Sequence, residues 1–539
     1  MVDDGSVDGG DAIAAAQAAA DPRFTLIQVN GGSPGFSRNQ GIMRATGEYL
    51  SFVDGDDVLP THSFERLLQT LESSGSDLVS GGVERIGPAG IRTSGLHAKA
   101  IKTRKIRTHV SVSPELFFDV SVWNKMFRKS FWDANKLIFP EGVVWEDLQL
   151  MTKAHVLAKA VDVIPDPIYY WRERGAGELS ITQSRTSIEN FRDRITALLV
   201  IDEFLREHPP LRMVREHQRK ALLNDLWLYI PDLWRTTEAY RTEFADLMST
   251  YLAQIDKKVM RQLPSTHKLA YHLIARRMMP ELLEYASWLK EQPVKTVPVV
   301  RERGRIWADL PYRKERGLRI PASVFRPQIR ELDPFVRVES IDWNDSNLVI
   351  TGCAYVPSVD IRRRRHTSKF VILKPRKLSR LPIIVPAKSF RHPEAKQWSG
   401  QLRYDYDWAG FRAEINPRWF NLAGKWQTGD WEGFVLVRGH GVWRISRLHT
   451  PIRGSAERPP ARQVAPGVRL GARWLGKRLH VQVVHTPAEL HSCEFIDGDL
   501  VVEADVEPSA AGRDAQLVLV WSKGTASRKL ATTAMRRGC

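Results

Sequence analysis

Apolar residues in the first part of the chain fall into short β-rich runs that alternate with stretches of helical spacing. Arg23-Phe24-Thr25-Leu26-Ile27-Gln28-Val29 reads as a strand, Gly35 to Ala45 as a helix, and Tyr49-Leu50-Ser51-Phe52-Val53 as a second, buried strand. His62 to Ser73 is helical again, and Asp77-Leu78-Val79-Ser80 opens another strand. This alternation predicts an α/β layer with a largely parallel sheet, whose ligands gather at the carboxyl ends of the strands. Over 186–292 the spacing becomes helical throughout, with Phe191, Ile195, Leu198, Leu199, Ile201, Phe204 and Leu205 recurring on one face. Residues 293–333 are rich in proline and basic side chains and read as a linker. Beyond them come short strands separated by turn residues, such as Leu348 to Thr351, Phe370 to Leu373 and Gly433 to Val437. Their spacing predicts a β-sandwich over 334–460, and Leu479 to Val484 with Leu517 to Val520 predict a second β-rich domain over 461–539.

Composition changes this picture little. The chain has 539 residues, 43% hydrophobic and 26% charged, enough apolar material for several cores and for two to four domains. The formal net charge of +17 does matter, because such a surface attracts polyanions: phosphate-rich polymers, anionic headgroups or nucleic acid. The run Arg362-Arg363-Arg364-Arg365 reads as a solvated loop tip. Nucleic acid ranks last among the partners, since no recognisable binding fold or aromatic platform accompanies the charge. Cys353, Cys493 and Cys539 are widely separated and lack metal-ligand spacing, which fits a reducing compartment. No apolar run approaches the length of a membrane span, so the expected location is cytoplasmic, with any membrane contact peripheral at the inner face.

The candidate chemistry lies in acidic residues at strand ends. Asp54 and Asp56 follow the apolar run Tyr49 to Val53, which would deliver both to the sheet's carboxyl edge, with Asp57 adding a third carboxylate. Like charges crowded this closely favour a compensating cation, and hard oxygen ligands suit Mn2+ or Mg2+ gripping a diphosphate. The competing reading is an acidic turn that caps the helix starting near Thr61. A calcium loop is excluded, because Val58 and Leu59 stand where an oxygen ligand and a glycine are required. Asp3-Asp4-Gly5-Ser6 is a polar turn before an alanine-rich helix, where a carboxylate can accept from a base or ribose hydroxyl, although Asp8 or Asp11 can equally serve as a cap. Glu146-Asp147 opens a helical stretch; an acidic pair there complements the helix dipole, or supplies a general base for an acceptor hydroxyl.

In combination these segments resemble family 2 glycosyltransferases with a GT-A fold. The residues that carry the likeness are Val2-Asp3-Asp4-Gly5-Ser6, Ser37-Arg38-Asn39-Gln40-Gly41, Ala45-Thr46-Gly47-Glu48-Tyr49 and Phe52-Val53-Asp54-Gly55-Asp56-Asp57. Trp123-Asn124-Lys125, Trp145-Glu146-Asp147, Pro167 to Arg172 and Ser180-Ile181-Thr182 continue it in the same order. The resemblance covers residues 1–185 and implies an α/β GT-A (nucleotide-diphospho-sugar transferase) domain, then a helical segment and C-terminal β-sandwich domains. It further implies an inverting, metal-dependent transfer from a nucleotide-sugar donor, a UDP-sugar by preference. In that reading Asp3 or Asp4 contacts the donor's base, Arg38 and Asp54 help hold the nucleotide, and Asp56 binds the metal. Asp147 acts as base with Glu146 in support, and Arg172 and Arg174 grip the diphosphate from a loop.

The layout after the catalytic region is similar to that of wall teichoic acid glycosyltransferases, which implies a cell-envelope polysaccharide or polyol-phosphate acceptor. It is also similar to long proteins joining a family 2 transferase to a glycerophosphotransferase module. One departure qualifies the expectation. Family members normally begin with a further Val/Ile-rich strand and a loop before the Asp-Asp-Gly-Ser turn, whereas Met1 stands next to that turn here. The expected consequence is a central strand without its hydrogen-bonded neighbour and a chain that is unstable or inactive. The alternative to an enzyme is then a catalytically impaired glycan-binding or scaffold protein.

Overall fold

A computed structural model describes residues 1–87, 90–95, 97–173, 185–291, 297–376, 380–399, 404–449, 459–486, 488–496, 499–506, 518–523 and 526–531. The chain divides into two compact units: residues 1–292 with 308–328, and residues 293–307 with 329–539.

The first unit opens with β1 (Val2–Asp3), α1 (Gly10–Ala20), β2 (Ile27–Gln28) and α2 (Pro34–Arg44). Then come β3 (Tyr49–Ser51), α3 (Ser63–Ser74), β4 (Leu78–Gly87), β5 (Gly90–Thr93) and β6 (Lys105–Thr108). The α/β part closes with β7 (Lys125–Arg128), α4 (Lys129–Ala134), α5 (Glu146–Leu157) and β8 (Val161–Arg172). β1 and β2 pair in parallel as a two-stranded sheet. A six-stranded sheet runs β3-β7-β4-β8-β6, with β5 on β4. The sequence pattern predicts a largely parallel sheet, but within this sheet only β4 and β8 pair in parallel. The difference comes from β7, which inserts antiparallel between β3 and β4 and lies outside the βα alternation. β3, β4 and β8 still point the same way, so their carboxyl ends share one edge. Among the described residues β3 has a strand partner on one side only.

The helical stretch forms α6 (Ile188–Glu207), α7 (Arg212–Lys220), α8 (Glu238–Ala253), α9 (Lys257–Gln262), α10 (Ser265–Ala275) and α11 (Met279–Glu291). Ser187 caps α6 by accepting from the Asn190 N–H, and Phe191, Ile195, Leu198, Ile201 and Leu205 form its buried face, as their spacing dictates. Residues 308–328 return to this unit. Tyr312 Oη donates to the Glu281 carbonyl and the Glu284 carboxylate, and Lys268 Nζ donates to the Arg326 carbonyl. Among the described residues no helix is long and apolar enough to cross a membrane.

The second unit begins with the hairpin β9 (Val299–Glu302) and β10 (Arg305–Ala308). Its main sheet has ten strands: β11 (Phe335–Asn344), β12 (Asn347–Tyr355), β13 (Thr367–Pro375), β14 (Ile383–Phe390), β15 (Gly410–Ile415), β18 (Gly429–Gly439), β19 (Val442–Arg447), β20 (Arg462–Ala465), β21 (Val468–Leu475) and β22 (Arg478–His485). Between β15 and β18 lies the small ribbon of β16 (Asn421–Leu422) and β17 (Lys425–Trp426). The pairing in the main sheet is antiparallel throughout. Burial alternates along β13 and β18, which places Val371, Leu373, Trp431, Val435 and Val437 on the core face. Leu479 to Val484, read from sequence as opening a second domain, lies in β22 and pairs with the start of β18, so the sheet continues across residue 461. The strands β23 (Ala488–Ile496) with β24 (Asp499–Val506), and β25 (Val518–Lys523) with β26 (Ala526–Ala531), form two separate hairpins.

Candidate active site

The apolar run that forms β3 buries Leu50 and ends where Asp54 begins a tight turn. That turn lies against the carboxyl end of β8, because Val58 and Tyr170 exchange backbone hydrogen bonds of 3.2 and 2.9 Å. Tyr169 fixes the turn from within: its hydroxyl donates to Asp57 Oδ2 at 2.8 Å and accepts the Asp54 N–H at 3.1 Å. Arg172 N–H donates to the other Asp57 oxygen at 2.8 Å. Burial lifts the Asp57 carboxyl to about 6; the Arg172 N–H and the Tyr169 hydroxyl oppose the rise, and Asp56 and Asp54 add to it.

The second wall comes from α2 and α5. Ser33 caps α2, and Asn39 on its next turns is buried, donating to the Phe139 carbonyl and accepting the Phe139 N–H. Gly35 is required here, since a Cβ would overlap the Pro140 carbonyl oxygen. With 139–140 pinned to α2, the chain reaches Trp145, which adopts a left-handed conformation at φ 74° and starts α5. α6 braces that corner: Asp193 accepts the Val144 N–H, and the Arg194 guanidinium lies 3.4 Å from the centre of the Trp145 ring.

These constraints converge on Arg38. Its guanidinium, 15% exposed, reaches Glu146 at 2.5 Å, Asp54 at 2.9 Å and Asp147 at 3.2 Å. Burial opposes its charge, but the attraction of Asp147, Asp54 and Glu146 prevails and holds it protonated. Asp147 has a second partner, the Val122 N–H, at 3.2 Å. Burial raises the Asp147 carboxyl to about 7; Arg38 opposes the rise, Glu146 and Asp54 reinforce it, and the Val122 N–H restrains it. A carboxylate with that affinity for protons is matched to general-base work near neutral pH. Beneath it, Lys125 and Asp119 form an ion pair at 2.9 Å with both side chains fully buried.

The sequence candidates thus separate into groups. Arg38, Asp54, Glu146 and Asp147 meet directly. Asp56 is exposed at the same turn, and carboxylate oxygens such as those of Asp54 and Asp56 are the hard donors that Mg2+ or Mn2+ takes. Asp4 turns toward its own chain, accepting from Gly31 N–H at 2.7 Å, Gly32 N–H at 3.2 Å and Ser37 Oγ at 2.8 Å. Burial works to raise its pKa, but these donors outweigh it and lower it. Asp3 accepts the Ser6 N–H at 3.2 Å. Arg172 has an exposed side chain at the end of β8, while Arg174 and Ser180-Ile181-Thr182 lie outside the described residues. Sequence reasoning assigned no individual role to Tyr169 or Asp119, and it took Asp57 as a third carboxylate of the cluster, not as the partner of Tyr169 and Arg172 that it is here. A signal existed for the first: Tyr169 stacks on Trp123 at 4.2 Å, and both belong to segments already marked by their motif content.

Residues 1–134 match the family model described as glycosyl transferase family 2. The putative glycosyltransferase EpsH of Bacillus subtilis (strain 168) is 25% identical over 244 residues, 45% of this chain and 70% of that protein. The poly(ribitol-phosphate) beta-N-acetylglucosaminyltransferase TarS of Staphylococcus aureus (strain Mu50) is 24% identical over 190 residues, 34% of this chain. The chain matches only 31% of that relative's length. In structure, S. aureus TarS aligns over 99% of this chain and 90% of its own, with a TM-score of 0.52 at 14% identity, which is a likeness of fold.

Proposed function

We propose that this chain, whose residues 1–134 form a glycosyl transferase family 2 domain, moves a sugar from a UDP-sugar to a hydroxyl of a polyol-phosphate or cell-envelope glycan acceptor. The observation that carries this reading is the meeting of Asp54, Glu146 and Asp147 on Arg38 beside the Asp54 to Asp57 turn. Asp147 takes the proton of the acceptor hydroxyl as its oxygen forms a bond to the anomeric carbon. The bond from that carbon to the diphosphate breaks in the same displacement, so the configuration inverts. Glu146, buried and bound to Arg38, holds the guanidinium in place, and Arg38 in turn orients Asp147. Tyr169 keeps the Asp54 to Asp57 turn in one conformation, and the exposed Arg172 at its flank is placed to meet donor phosphates. Asp56 with Asp54 would hold a divalent cation, Mn2+ or Mg2+, which would supply positive charge for the departing diphosphate. The polyol-phosphate acceptor is supported by the name of the TarS relative and by the basic net charge.

The test is transfer and donor hydrolysis with UDP-sugars and Mn2+. Asp147→Asn is expected to lower kcat by roughly 10²-fold or more while leaving donor KM within about threefold. Asp56→Ala is expected to abolish the response to added Mn2+. Wild-type turnover in Asp147→Asn would remove it from the role of base. A binding-only reading draws on the sparse packing of the first residues, where α1 buries no side chain. Polymer retention without turnover in the wild-type chain selects that reading.

A further inference from the structure

In the second unit, Asp360, His366 and His440 each offer a ligand atom, and these atoms lie within 4.8 Å of one another. The architecture that brings them together is built in three places. His366 directly precedes β13 and His440 directly follows β18, and the ladder of those strands begins at Thr367 opposite Gly439. The next pair outward is therefore the two histidines. A hydrogen bond of 2.8 Å from the His440 N–H to the His366 carbonyl extends the ladder to them, and their rings stand 4.1 Å apart. His440 occupies the tight β18–β19 turn at φ 43°, and its carbonyl accepts from Arg301 at 2.9 Å. Asp360 sits in the β12–β13 loop between the buried side chains of Val359 and Ile361, and the Ile361 N–H is tied to the Asp405 carbonyl at 2.7 Å.

We propose that Asp360, His366 and His440 bind a borderline transition-metal ion of the Zn2+ class, which clips the β12–β13 loop to the β18–β19 turn. Two imidazoles and one carboxylate are a donor set that favours Zn2+, Co2+ or Ni2+ over the hard cations Mg2+ and Ca2+. Ligand distances of about 2.0–2.2 Å around a tetrahedral ion place the ligand atoms roughly 3.3–3.6 Å apart, so from 4.8 Å the widest pair has to close by up to about 1.5 Å. His440, at the surface, has room to rotate by that amount. His366 Nδ1 is shielded from solvent and has no hydrogen-bond partner among the described residues. Asp360 also accepts from the Arg362 N–H at 2.9 Å and from its guanidinium at 3.3 Å, and a carboxylate with about four lone-pair sites accommodates a metal beside them. Arg363, Arg364 and Arg365 are exposed, so their repulsion of a cation is screened by water and salt. Water completes the coordination.

The experiment titrates the full chain with Zn2+ alone by calorimetry, with Co2+ visible absorption as a second reading of the same site. His440→Ala and Asp56→Ala are run in parallel. Binding in His440→Ala is expected to weaken at least about tenfold, with loss of the Co2+ bands, while Asp56→Ala retains both. Trypsin supplies an independent readout, since the clipped loop carries Arg362 to Arg365. Zn2+ is expected to slow cleavage there in the wild-type chain and to leave it unchanged in His440→Ala. Equal Zn2+ affinity and equal cleavage in those two chains, or Zn2+ binding lost in Asp56→Ala and kept in His440→Ala, overturns the proposal.

Discussion

Arg38 works against the burial that raises the Asp147 carboxyl, and in the proposed mechanism the protonation of Asp147 decides the reaction. Since Asp147 titrates at about 7, it can accept a proton above that pH and is blocked below it, so kcat/KM should rise through neutrality. Arg38→Gln removes an influence that lowers this pKa. The acid limb should then move to higher pH, and activity at pH 7 should fall by roughly tenfold for each unit of displacement. A pH–rate profile that keeps its midpoint in Arg38→Gln contradicts the coupling. Much of this site was legible from the ordered acidic motifs, because Asp54, Glu146 and Asp147 stand at the ends of strongly patterned elements. Asp4 and Asp57 were less legible, since what they do is set by groups arriving from distant segments: Gly31, Gly32 and Ser37 for one, Tyr169 and Arg172 for the other. No spacing rule in the sequence announces those encounters.

At the scale of elements, β7 joins the six-stranded sheet while its first residue, Lys125, carries a charge into the interior. Burial tends to raise the Asp119 carboxyl, but Lys125, with His155 and His97, outweighs it and holds it at about 2. Because the folded value lies below the unfolded one, this carboxylate contributes stability above about pH 4, and loses it as pH falls toward 2. Lys125→Met leaves the Asp119 charge in the core without its ammonium partner, with an expected loss of about 3–5 kcal/mol in urea unfolding at pH 7. The same variant measured near pH 3 should show a smaller deficit; an undiminished one points to packing alone. Helix positions followed the hydrophobic pattern closely, with α2 at Pro34–Arg44 and α3 at Ser63–Ser74 each within a residue or so of the reading. The strand read over Arg23–Val29, by contrast, is confined to Ile27–Gln28, paired with β1 outside the six-stranded sheet. Strand direction did not follow the pattern either. A four-residue strand such as β7 has no periodic signature of its own, and its place in the sheet depends on which neighbours leave an edge open.

For the whole molecule, the net charge of +17 attracts polyanions at long range, the proposed polyol-phosphate acceptor among them. Affinity for a polyol-phosphate polymer should fall at least about tenfold between roughly 50 and 500 mM salt, and a neutral glycan of equal length should show no such dependence. Salt-independent binding of the polymer assigns recognition to uncharged contacts instead. Within the stretch read as a linker, residues 308–328 pack on the first unit, where Tyr312 donates to Glu281 and Lys268 donates to the Arg326 carbonyl. The route through it also limits how the chain can be recombined. It passes from the first unit to the second, back over 308–328, and out again, so no single crossover point separates the two. A gene fusion or natural shuffling event that cuts near residue 292 deprives the first unit of Leu310, Tyr312 and Phe325, all buried, and a cut after 328 carries the β9–β10 hairpin away with the wrong partner. Exchange of the sheet-rich half among relatives is therefore penalised unless both passages move together, and inheritance of this chain should run through substitution within a fixed pair.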